Sequence, residues 1–346
     1  MLAQKIFEEP EVYKVEVPYA NIVTKETNAY IVRDGGDVLV VDMGAPTDEA
    51  ARVFSQALSE LGIALDSPRY FFTHLHFDHS GLVERLLSPG TKVYVGEMEM
   101  RSGEPGFHKR MKDYVKGRLQ EEGMTLHEAE DKAAMIEIAT TLDSDALDIE
   151  TVEEGDVITV GRFPFEVIDL FGHTRGMVGL YQPDSGLCFS GDQLLFCITP
   201  ACGIFLDGVD SIQAYNESMR KLVGLPITHL LHSHGEIRPD FKERAAKIFE
   251  SRNKRMQKAV DFIAESPGRT GIEVVREMGW RIPFASIDEC EQRQQWLIYT
   301  QGIAILDHLV RVGAIARVRE PALSGLSAMA NTYVPADELV WEEIRL

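Results

Sequence analysis

Four side chains of the metal-ligand type fall within six consecutive positions of the chain. His74, His76, Asp78 and His79 directly follow the apolar run 70–72, which reads YFF. Imidazole nitrogens and carboxylate oxygens are ligands of zinc and related borderline metals, and a catalytic site keeps one coordination position open for water. Four such residues are too many for one catalytic ion. The sequence therefore predicts a site for two ions.

The surrounding elements indicate how these side chains are positioned. The run 70–72 predicts a short buried strand, and a helix is predicted to begin at Ser80. The four side chains then lie on a tight connection at the end of a sheet, where they can converge. A lone histidine is usually packed or solvated, but three with an aspartate behind an apolar strand favour a metal site.

The segment HLHFDH, residues 74–79, resembles the HxHxDH signature of the metallo-β-lactamase superfamily. Four further motifs of that superfamily fall in order along the chain, and the resemblance covers residues 12–240. These motifs contribute Asp42 at the end of VLVVD, His173 in FGHT, Asp192 in FSGD and His234 in HSHG. The resemblance implies a fold of the α+β class, an αββα sandwich, and hydrolysis at a site of one or two metal ions.

The resemblance also implies a set of ligands and a supporting residue. It assigns His74, His76 and His173 to the first ion, Asp78, His79 and His234 to the second, and Asp192 to a bridge between them. Zinc is the expected metal, and iron or manganese accepts the same ligand types. Asp42 is expected to orient the ligand loop through hydrogen bonds. The alternative is a turn aspartate before Gly44.

Composition narrows the class of protein. The 346 residues are 45% hydrophobic and 26% charged, which is typical of a globular protein, and the length favours one large domain and a smaller one. A net charge of −20 argues against nucleic acid as the habitual partner. The amino terminus does not resemble a signal peptide and no run suits a membrane span, so a cytoplasmic location is expected. The four cysteines are expected to be buried free thiols.

The apolar pattern predicts the sandwich domain over residues 1–237 and a smaller, mainly helical domain over 238–346. Strands are predicted at 11–17, 28–34, 37–42, 92–95, 157–160, 165–170, 178–182, 187–190 and 228–231, and helices at 47–61, 82–87 and 211–223. The motif residues then all follow strands, on one rim of the sandwich.

Residues 97–150 interrupt the strand pattern and predict a helical insertion. Apolar residues at helical spacing from Met111 to Leu119 indicate one helix, and a second is predicted from 126 to 138. An insertion at this point can cover the site as a lid. Packing between the subunits of a homodimer is the alternative.

The loop after Asp192 is strongly apolar. It contains Phe196, Ile198, Ile204 and Phe205, which either form the wall of a pocket for an apolar part of a substrate or belong to the core. The sequence leaves both interpretations open.

The composition changes after Pro239, where a long helix is predicted to run to Ala264. Its face opposite the apolar one carries five basic residues, Arg244, Lys247, Lys254, Arg255 and Lys258. This face either pairs with acidic groups or binds a partner. Helices at 270–279 and 289–311 and a hairpin of 314–319 with 331–334 around Gly325 resemble the winged-helix domain of some superfamily members.

These features predict a metal-dependent hydrolase of a small molecule. Hydroxide bridging two ions is the expected nucleophile, and Asp78 is the expected catalytic residue, which binds one ion and accepts a hydrogen bond from the nucleophile. His232 is either a proton donor to the leaving group or a structural residue. The acidic chain and apolar loop favour a carboxylic ester, thioester or lactone. A phosphodiesterase or ribonuclease is the first alternative, and an iron-dependent persulfide dioxygenase is the second.

Overall fold

The computed structural model describes residues 1–19, 24–104, 106–136, 140–320 and 330–336. None of the helices in these ranges combines the length and apolarity that a bilayer-spanning segment requires.

The chain forms two compact units that are not contiguous in sequence. Unit 1 comprises residues 1–107, 137–200 and 218–244, and unit 2 comprises 108–136, 201–217 and 245–346. Most of the predicted insertion therefore belongs to the same unit as the carboxyl-terminal residues. The domain boundary at 237/238 stays a prediction, as does the role of the insertion as lid or dimer contact.

Unit 1 contains two sheets. The first has seven strands in the order β1 to β7, which are Ala3–Phe7, Glu11–Pro18, Glu26–Asp34, Asp37–Val41, Arg69–Phe72, Lys92–Gly96 and Asp148–Val152. The second has the order β12-β11-β10-β9-β8, with β8 to β12 at Val157–Val160, Phe163–Asp169, Val178–Gln182, Leu187–Gly191 and His229–His232. The pairs β4/β5, β5/β6, β6/β7 and β11/β12 are parallel, and the other pairs are antiparallel.

The chain forms ten α-helices within the described residues. In chain order, α1 to α10 are Asp48–Glu60, Phe77–Ser80, Val83–Leu86, Glu97–Met100, Phe107–Glu121, Leu126–Ala133, Ser211–Gly224, Phe241–Glu265, Gly271–Glu277 and Gln292–Arg311. Short 3₁₀ turns cover Arg101–Gly103 and Ile287–Glu289. The prediction that a helix begins at Ser80 is wrong, because α2 begins at Phe77 and ends at Ser80.

Alternation along the strands builds two apolar layers, as the period of two predicts. Leu39 and Phe71 of the first sheet pack with Phe165 of the second, in the core between the sheets. The intervening residues, among them Phe72, pack against α1 through Phe54. These layers are the αββα architecture that the resemblance implied, and they hold the ends of β4, β5, β11 and β12 in fixed positions.

Two edge strands, β1 and β7, were missed from the sequence. β7 falls at the end of the predicted insertion, so that prediction is wrong for residues 148–150. Four of the five side chains of β7 are exposed or half-buried, and four of the five in β1 are not buried either. Such edge strands lack the apolar pattern from which a strand is predicted.

Unit 2 has a third sheet in the order β13-β15-β14, at Arg269–Thr270, Ala330–Pro335 and Ile315–Glu320. β14 and β15 pair antiparallel, as predicted for the hairpin, but Gly325 lies outside the described residues. The winged-helix resemblance stays a prediction. Helices α6 and α9 each begin with a capping box, formed by Thr125 with Glu128 and by Thr270 with Glu273.

A cluster of buried and half-buried polar residues holds unit 2 together. We call it the glutamate cluster; it comprises Arg118, Glu122, Asp307, Arg317, Asn331 and Tyr333. Glu122 is fully buried and accepts hydrogen bonds from Arg118 at 3.2 Å, Asn331 at 2.9 Å and Tyr333 at 2.8 Å. The guanidinium of Arg118 also donates to both oxygens of Asp307 at 3.0 Å. The insertion is thereby tied to α10 and to the carboxyl-terminal sheet.

Candidate metal centre

Parallel strand pairs bring the predicted site residues to one rim in unit 1. Asp42 follows β4 and His74 lies two residues after β5, and these strands are parallel. Asp192 and His234 follow β11 and β12, which are parallel in the second sheet. The carboxyl ends of parallel neighbours meet at the same edge, so each sheet brings its pair of residues together there. His173 follows β9 in the same sheet.

All seven predicted ligands converge, and we call them the histidine cluster: His74, His76, Asp78, His79, His173, Asp192 and His234. Their ligand atoms form three overlapping groups within 4.8 Å of one another. The groups are His74 with His76 and His173, His74 with His79 and Asp192, and Asp78 with His79 and His234. Asp192 thus lies between the two sets that the sequence predicted.

The first group places three ring nitrogens around one point. Nδ1 of His76 lies 3.1 Å from Nε2 of His74 and 3.2 Å from Nε2 of His173. Ligand nitrogens on a tetrahedral zinc ion, at about 2.05 Å from the metal, are about 3.3 Å apart. The spacing of these nitrogens therefore suits a common metal ion.

The third group places the ring nitrogens Nε2 of two histidines opposite each other. Nδ1 of His79 contacts Oδ2 of Asp42 at 2.8 Å, and Nδ1 of His234 contacts the carbonyl oxygen of Glu26 at 2.7 Å. Both partners accept, so both Nδ1 atoms carry the proton, and in the neutral, metal-binding state of the rings the lone pairs are on Nε2. These two Nε2 atoms are 3.3 Å apart. A cation between them would bind both lone pairs.

Two carboxylates lie beside the nitrogens of His79 and His234, Asp78 of the third group and Asp192 of the second. Oδ1 of Asp192 lies 3.6 Å from Nε2 of His79 and 3.5 Å from Nε2 of His234, while Oδ2 of Asp78 lies 3.5 Å from the latter atom. The oxygen Oδ1 of Asp192 is buried, and no donor among the described residues forms a well-directed hydrogen bond with it. A buried carboxylate oxygen without a donor is costly, and a metal ion would satisfy it.

The electrostatics of the cluster also suit cations. Burial, with His173 acting in the same direction, lowers the pKa of His76 to about 3. Burial together with the neighbouring imidazoles places the pKa of His74 well below its ordinary value. Both rings are therefore neutral at pH 7, which is the state that binds a metal.

The carboxylates act in the opposite direction on the other rings. Burial alone would lower the pKa of His79, but Asp42, Asp192 and Asp78 outweigh it and raise the pKa to about 10. Burial would raise the pKa of Asp192, but the imidazoles of His234 and His79 place it well below its ordinary value. The field of the carboxylates thus favours positive charge at this point, and bound divalent ions would supply it.

Asp42 supports the cluster as predicted, through hydrogen bonds. Its carboxylate accepts from the backbone N–H of Thr73 at 2.9 Å and from the hydroxyl of that residue at 2.9 Å, besides contacting His79. It is 1% exposed, and among the described residues other than glycine only Asp42 has a left-handed backbone, with φ of 56°. Backbone strain of this kind is concentrated at functional sites.

Glu99 is a supporting residue that the sequence interpretation missed. It is 2% exposed and accepts from the backbone N–H of Leu75 at 3.0 Å, the hydroxyl of Thr174 at 2.7 Å and the backbone N–H of Gly176 at 3.1 Å. It therefore ties the loop of His74 and His76 to the loop of His173. Its position just after a parallel strand could have revealed it, but the segment was interpreted as the start of the insertion.

His232 is fixed through its backbone rather than its ring. Its carbonyl oxygen accepts from Asn28 at 3.1 Å and from the hydroxyl of Tyr30 at 2.5 Å, which positions the loop that carries His234. The ring packs on Phe196, and its nitrogens have no hydrogen-bond partner among the described residues. The contacts of the carbonyl oxygen support the structural role, and the role as proton donor stays untested.

The remaining predictions about the loop after Asp192 have mixed outcomes. Phe196 and Ile198 are half-buried in unit 1, whereas Ile204 and Phe205 line a cavity in unit 2. The four thus do not form one wall within a single unit.

Cys188, Cys202 and Cys290 are buried free thiols as predicted. The prediction is wrong for Cys197, which is exposed because it lies on this loop.

The fold and the cluster define a metal-dependent hydrolase with a mixed sandwich of two sheets. The profile of the metallo-beta-lactamase superfamily matches residues 24–234, which is more than half of the chain. The protein belongs to the metallo-beta-lactamase superfamily. Members of this superfamily bind divalent metal ions.

Solved structures agree with this assignment at the level of the fold. The chain is similar to a metallo-beta-lactamase family protein of Thermus thermophilus, with 18% identity, a TM-score of 0.70, and coverage of 94% of this chain and 98% of that one. It is also similar to a beta-lactamase domain protein of Burkholderia ambifaria, with 21% identity, a TM-score of 0.77, and coverage of 96% and 94%.

Curated relatives match only part of the chain. The hydroxyacylglutathione hydrolase of Cereibacter sphaeroides is 40% identical over 80 residues, which cover 23% of this chain and 29% of the relative. The enzyme of the same name from Brucella anthropi is 36% identical over 112 residues, which cover 28% and 41%. The chain thus spans less than half the length of these relatives.

Proposed function

We propose that this protein is a thioester hydrolase with two divalent metal ions in the histidine cluster. The observation that carries the proposal is the meeting of like groups in that cluster, above all the two Nε2 atoms of His79 and His234 at 3.3 Å. Neutral imidazoles do not stabilise one another in this arrangement, but a shared cation stabilises both. Zinc is the metal we expect from the ligand types.

Each residue of the cluster has a proposed role. His74, His76 and His173 would hold one ion, and Asp78, His79 and His234 the other, while Asp192 lies near both sets and would bridge them. Asp42 and Glu99 would keep the ligand loops in position through the hydrogen bonds described above. When bound, the two ions supply an acidified water and polarise the carbonyl of the substrate.

Asp78 is the proposed catalytic residue. Its side chain is 14% exposed, more than the 9% of Asp192, so among the carboxylates of the cluster it is the more accessible to an incoming water. Its ionised carboxylate can accept a hydrogen bond from that water and so orient it towards the acyl carbon. Hydrolysis joins the water oxygen to the acyl carbon, breaks the C–S bond and transfers a proton to the sulfur of the leaving thiolate.

A thioester is preferred over a lactone or a simple ester because the partial relatives are hydroxyacylglutathione hydrolases. A small-molecule substrate is also in keeping with the net charge of −20, which repels polyanions. A cytoplasmic location and a homodimer stay predictions.

The basic face of the helix after Pro239 gives only weak support to the alternative of a phosphodiesterase. Arg244 donates to the carbonyl oxygens of Leu195 and Ile198 at 2.7 and 2.6 Å. The guanidinium of Arg255 lies 4.2 Å from the ring centroid of Trp280. Two of the five basic residues therefore serve internal contacts, so a phosphodiesterase is not proposed.

A turnover panel tests the proposal. The metal-loaded protein would be assayed with an S-(2-hydroxyacyl)glutathione, an acyl-coenzyme A, a carboxylic ester, a lactone and a phosphodiester. We expect the highest kcat/KM with one of the two thioesters, and loss of that turnover after chelation with recovery on adding zinc. Turnover of the phosphodiester alone, or thioester turnover that chelation does not change, would refute the proposal.

A further inference from the structure

Unit 2 contains a cavity of about 410 Å³ whose lining residues all belong to that unit. They come from α5, from the segment before α7 and its first residue, from α10 and from β14. The volume lies in the range of small-molecule sites, about 300 to 1,000 Å³. None of the functions considered above uses this cavity.

One side of the cavity is apolar. Ile204, Val209, Ala304 and Val310 contribute aliphatic groups to the lining. Val209 is 36% exposed, so part of its side chain is open to solvent. Covering such a side chain with an apolar ligand is favourable, at about 25 cal/mol per Å² removed from water.

The other side of the cavity carries charged groups. Three arginines and two aspartates line the cavity. Asp307 is bound by two of the arginines, Arg118 and Arg317, and Asp210 contacts His308 at 2.8 Å. Arg118 and Arg317 also face the carboxylate of Glu122, so Asp307 and Glu122 balance these two arginines, and Arg311 is the third arginine of the lining.

Arg311 is the most exposed of the three arginines, with a side chain that is 53% exposed. It donates a hydrogen bond to the carbonyl oxygen of Gly208 at 2.8 Å, and its Nε lies 3.8 Å from Asp210. A guanidinium has five N–H donors, so several of them are open to a further acceptor.

A second donor lies in the same lining. Ser211 is the first residue of α7, a helix of 14 residues, and it is 3% exposed. Its hydroxyl has no hydrogen-bond partner among the described residues. Buried hydroxyls are nearly always bonded, so this one lacks a partner that a ligand can supply.

We propose that this cavity binds a small amphipathic organic anion, whose apolar body lies on the aliphatic side and whose single anionic group is bound by Arg311 and Ser211. The volume suits a small ligand, and the exposed guanidinium of Arg311 suits one negative charge. The site is independent of the histidine cluster, so it stands or falls without the proposed hydrolysis.

Calorimetry with octanoate as the probe tests this proposal on the full chain. Octanol and octylamine have the same apolar body, with a neutral and a cationic head. We expect octanoate to bind at least about tenfold more tightly than octanol, as a charge-assisted contact implies, and octylamine not to bind. Equal binding of the three probes, or no binding of octanoate, would overturn the proposal.

Two matched pairs of variants locate the binding. A side chain at Gly203 would enter the cavity, since a Cβ there meets only Thr300 Oγ1, at 4.0 Å, whereas a Cβ at Gly117 meets nothing within 4 Å and that residue does not line the cavity. We expect Gly203→Leu to abolish octanoate binding and Gly117→Leu to leave it unchanged.

The second pair tests the charge. Arg311→Met is expected to weaken octanoate binding about tenfold and octanol binding little. Arg281→Met, at an arginine of the same unit outside the cavity, should change neither. If Gly203→Leu and Arg311→Met both bind octanoate as the wild type does, the ligand lies elsewhere and the assignment is wrong.

Discussion

The histidine cluster and the glutamate cluster are both buried and polar, but their internal contacts differ. In the glutamate cluster donors meet acceptors: Glu122 accepts from Arg118, Asn331 and Tyr333. In the histidine cluster, groups of the same kind face each other. The Nε2 atoms of His79 and His234, which would bind a metal ion through their lone pairs, lie 3.3 Å apart. The first arrangement is complete without any ligand. The second is complete only with cations.

This difference separates a structural cluster from a functional one better than burial does. Burial raises the pKa of Glu122 just as it raises that of Glu99, and both carboxylates are 2% exposed or less. The distinguishing feature is whether the polar groups of a cluster form hydrogen bonds with one another. In a structural cluster they do, and in a functional cluster some of them need a ligand. Removing a residue should therefore cost stability in the glutamate cluster and activity in the histidine cluster.

The largest effect is expected from the double substitution His76→Ala with Asp192→Ala. It removes one ligand of the first group and the bridging carboxylate, so thioester turnover should fall to the detection limit. The melting temperature of the metal-free protein should change little, because Nδ1 of His76 meets two other imidazole nitrogens and Oδ1 of Asp192 has no well-directed donor. His127→Ala, at a histidine whose side chain is 87% exposed, is the matched control and should keep full kcat/KM.

Glu122→Ala is expected to have the largest effect on stability. It leaves Arg118 and Arg317 short of a buried partner, so the free energy of unfolding should fall by about 3–5 kcal/mol. Urea denaturation measures this change, and Glu121→Ala, one residue away and 44% exposed, should cost less than about 0.5 kcal/mol. Equal losses in the two variants would mean that the cluster does not hold unit 2 together.

A smaller effect, on metal affinity, is expected from Asp42→Asn. The amide has the shape of the carboxylate, but it presents either an N–H group or a neutral oxygen to Nδ1 of His79. Such supporting residues contribute about 10- to 100-fold to metal affinity. Competition with a chromophoric chelator should show a loss of this size, and saturating metal should restore most of the turnover. Unchanged affinity would show that Asp42 does not orient the ligand loop.

The smallest effect is expected from Tyr333→Phe. It removes the hydroxyl that donates to Glu122 at 2.8 Å and leaves that oxygen without this donor. The free energy of unfolding should fall by about 1–3 kcal/mol while kcat/KM stays unchanged. A loss of turnover larger than the loss of stability explains would contradict the distinction between the two clusters.

Much of the rim could be predicted from the sequence because its signals are local. The buried strand at Arg69–Phe72 and the ligands of the following loop are close neighbours in sequence, and the resemblance to a known motif order placed His173, Asp192 and His234. Glu99 could not be found this way, since its partners at Leu75 and Gly176 are distant in sequence. The association of the insertion with the carboxyl-terminal sheet could not be predicted either, because it depends on the contact between Glu122 and Tyr333, which are 211 positions apart.

The most direct test of the account is the metal content of the purified protein, measured by inductively coupled plasma mass spectrometry after dialysis against metal-free buffer. The account predicts two divalent ions per chain in the wild type, and loss of bound metal in the His76→Ala, Asp192→Ala variant with the fold intact by circular dichroism. A wild type that binds no metal after loading with zinc, or a variant that keeps both ions, would contradict it.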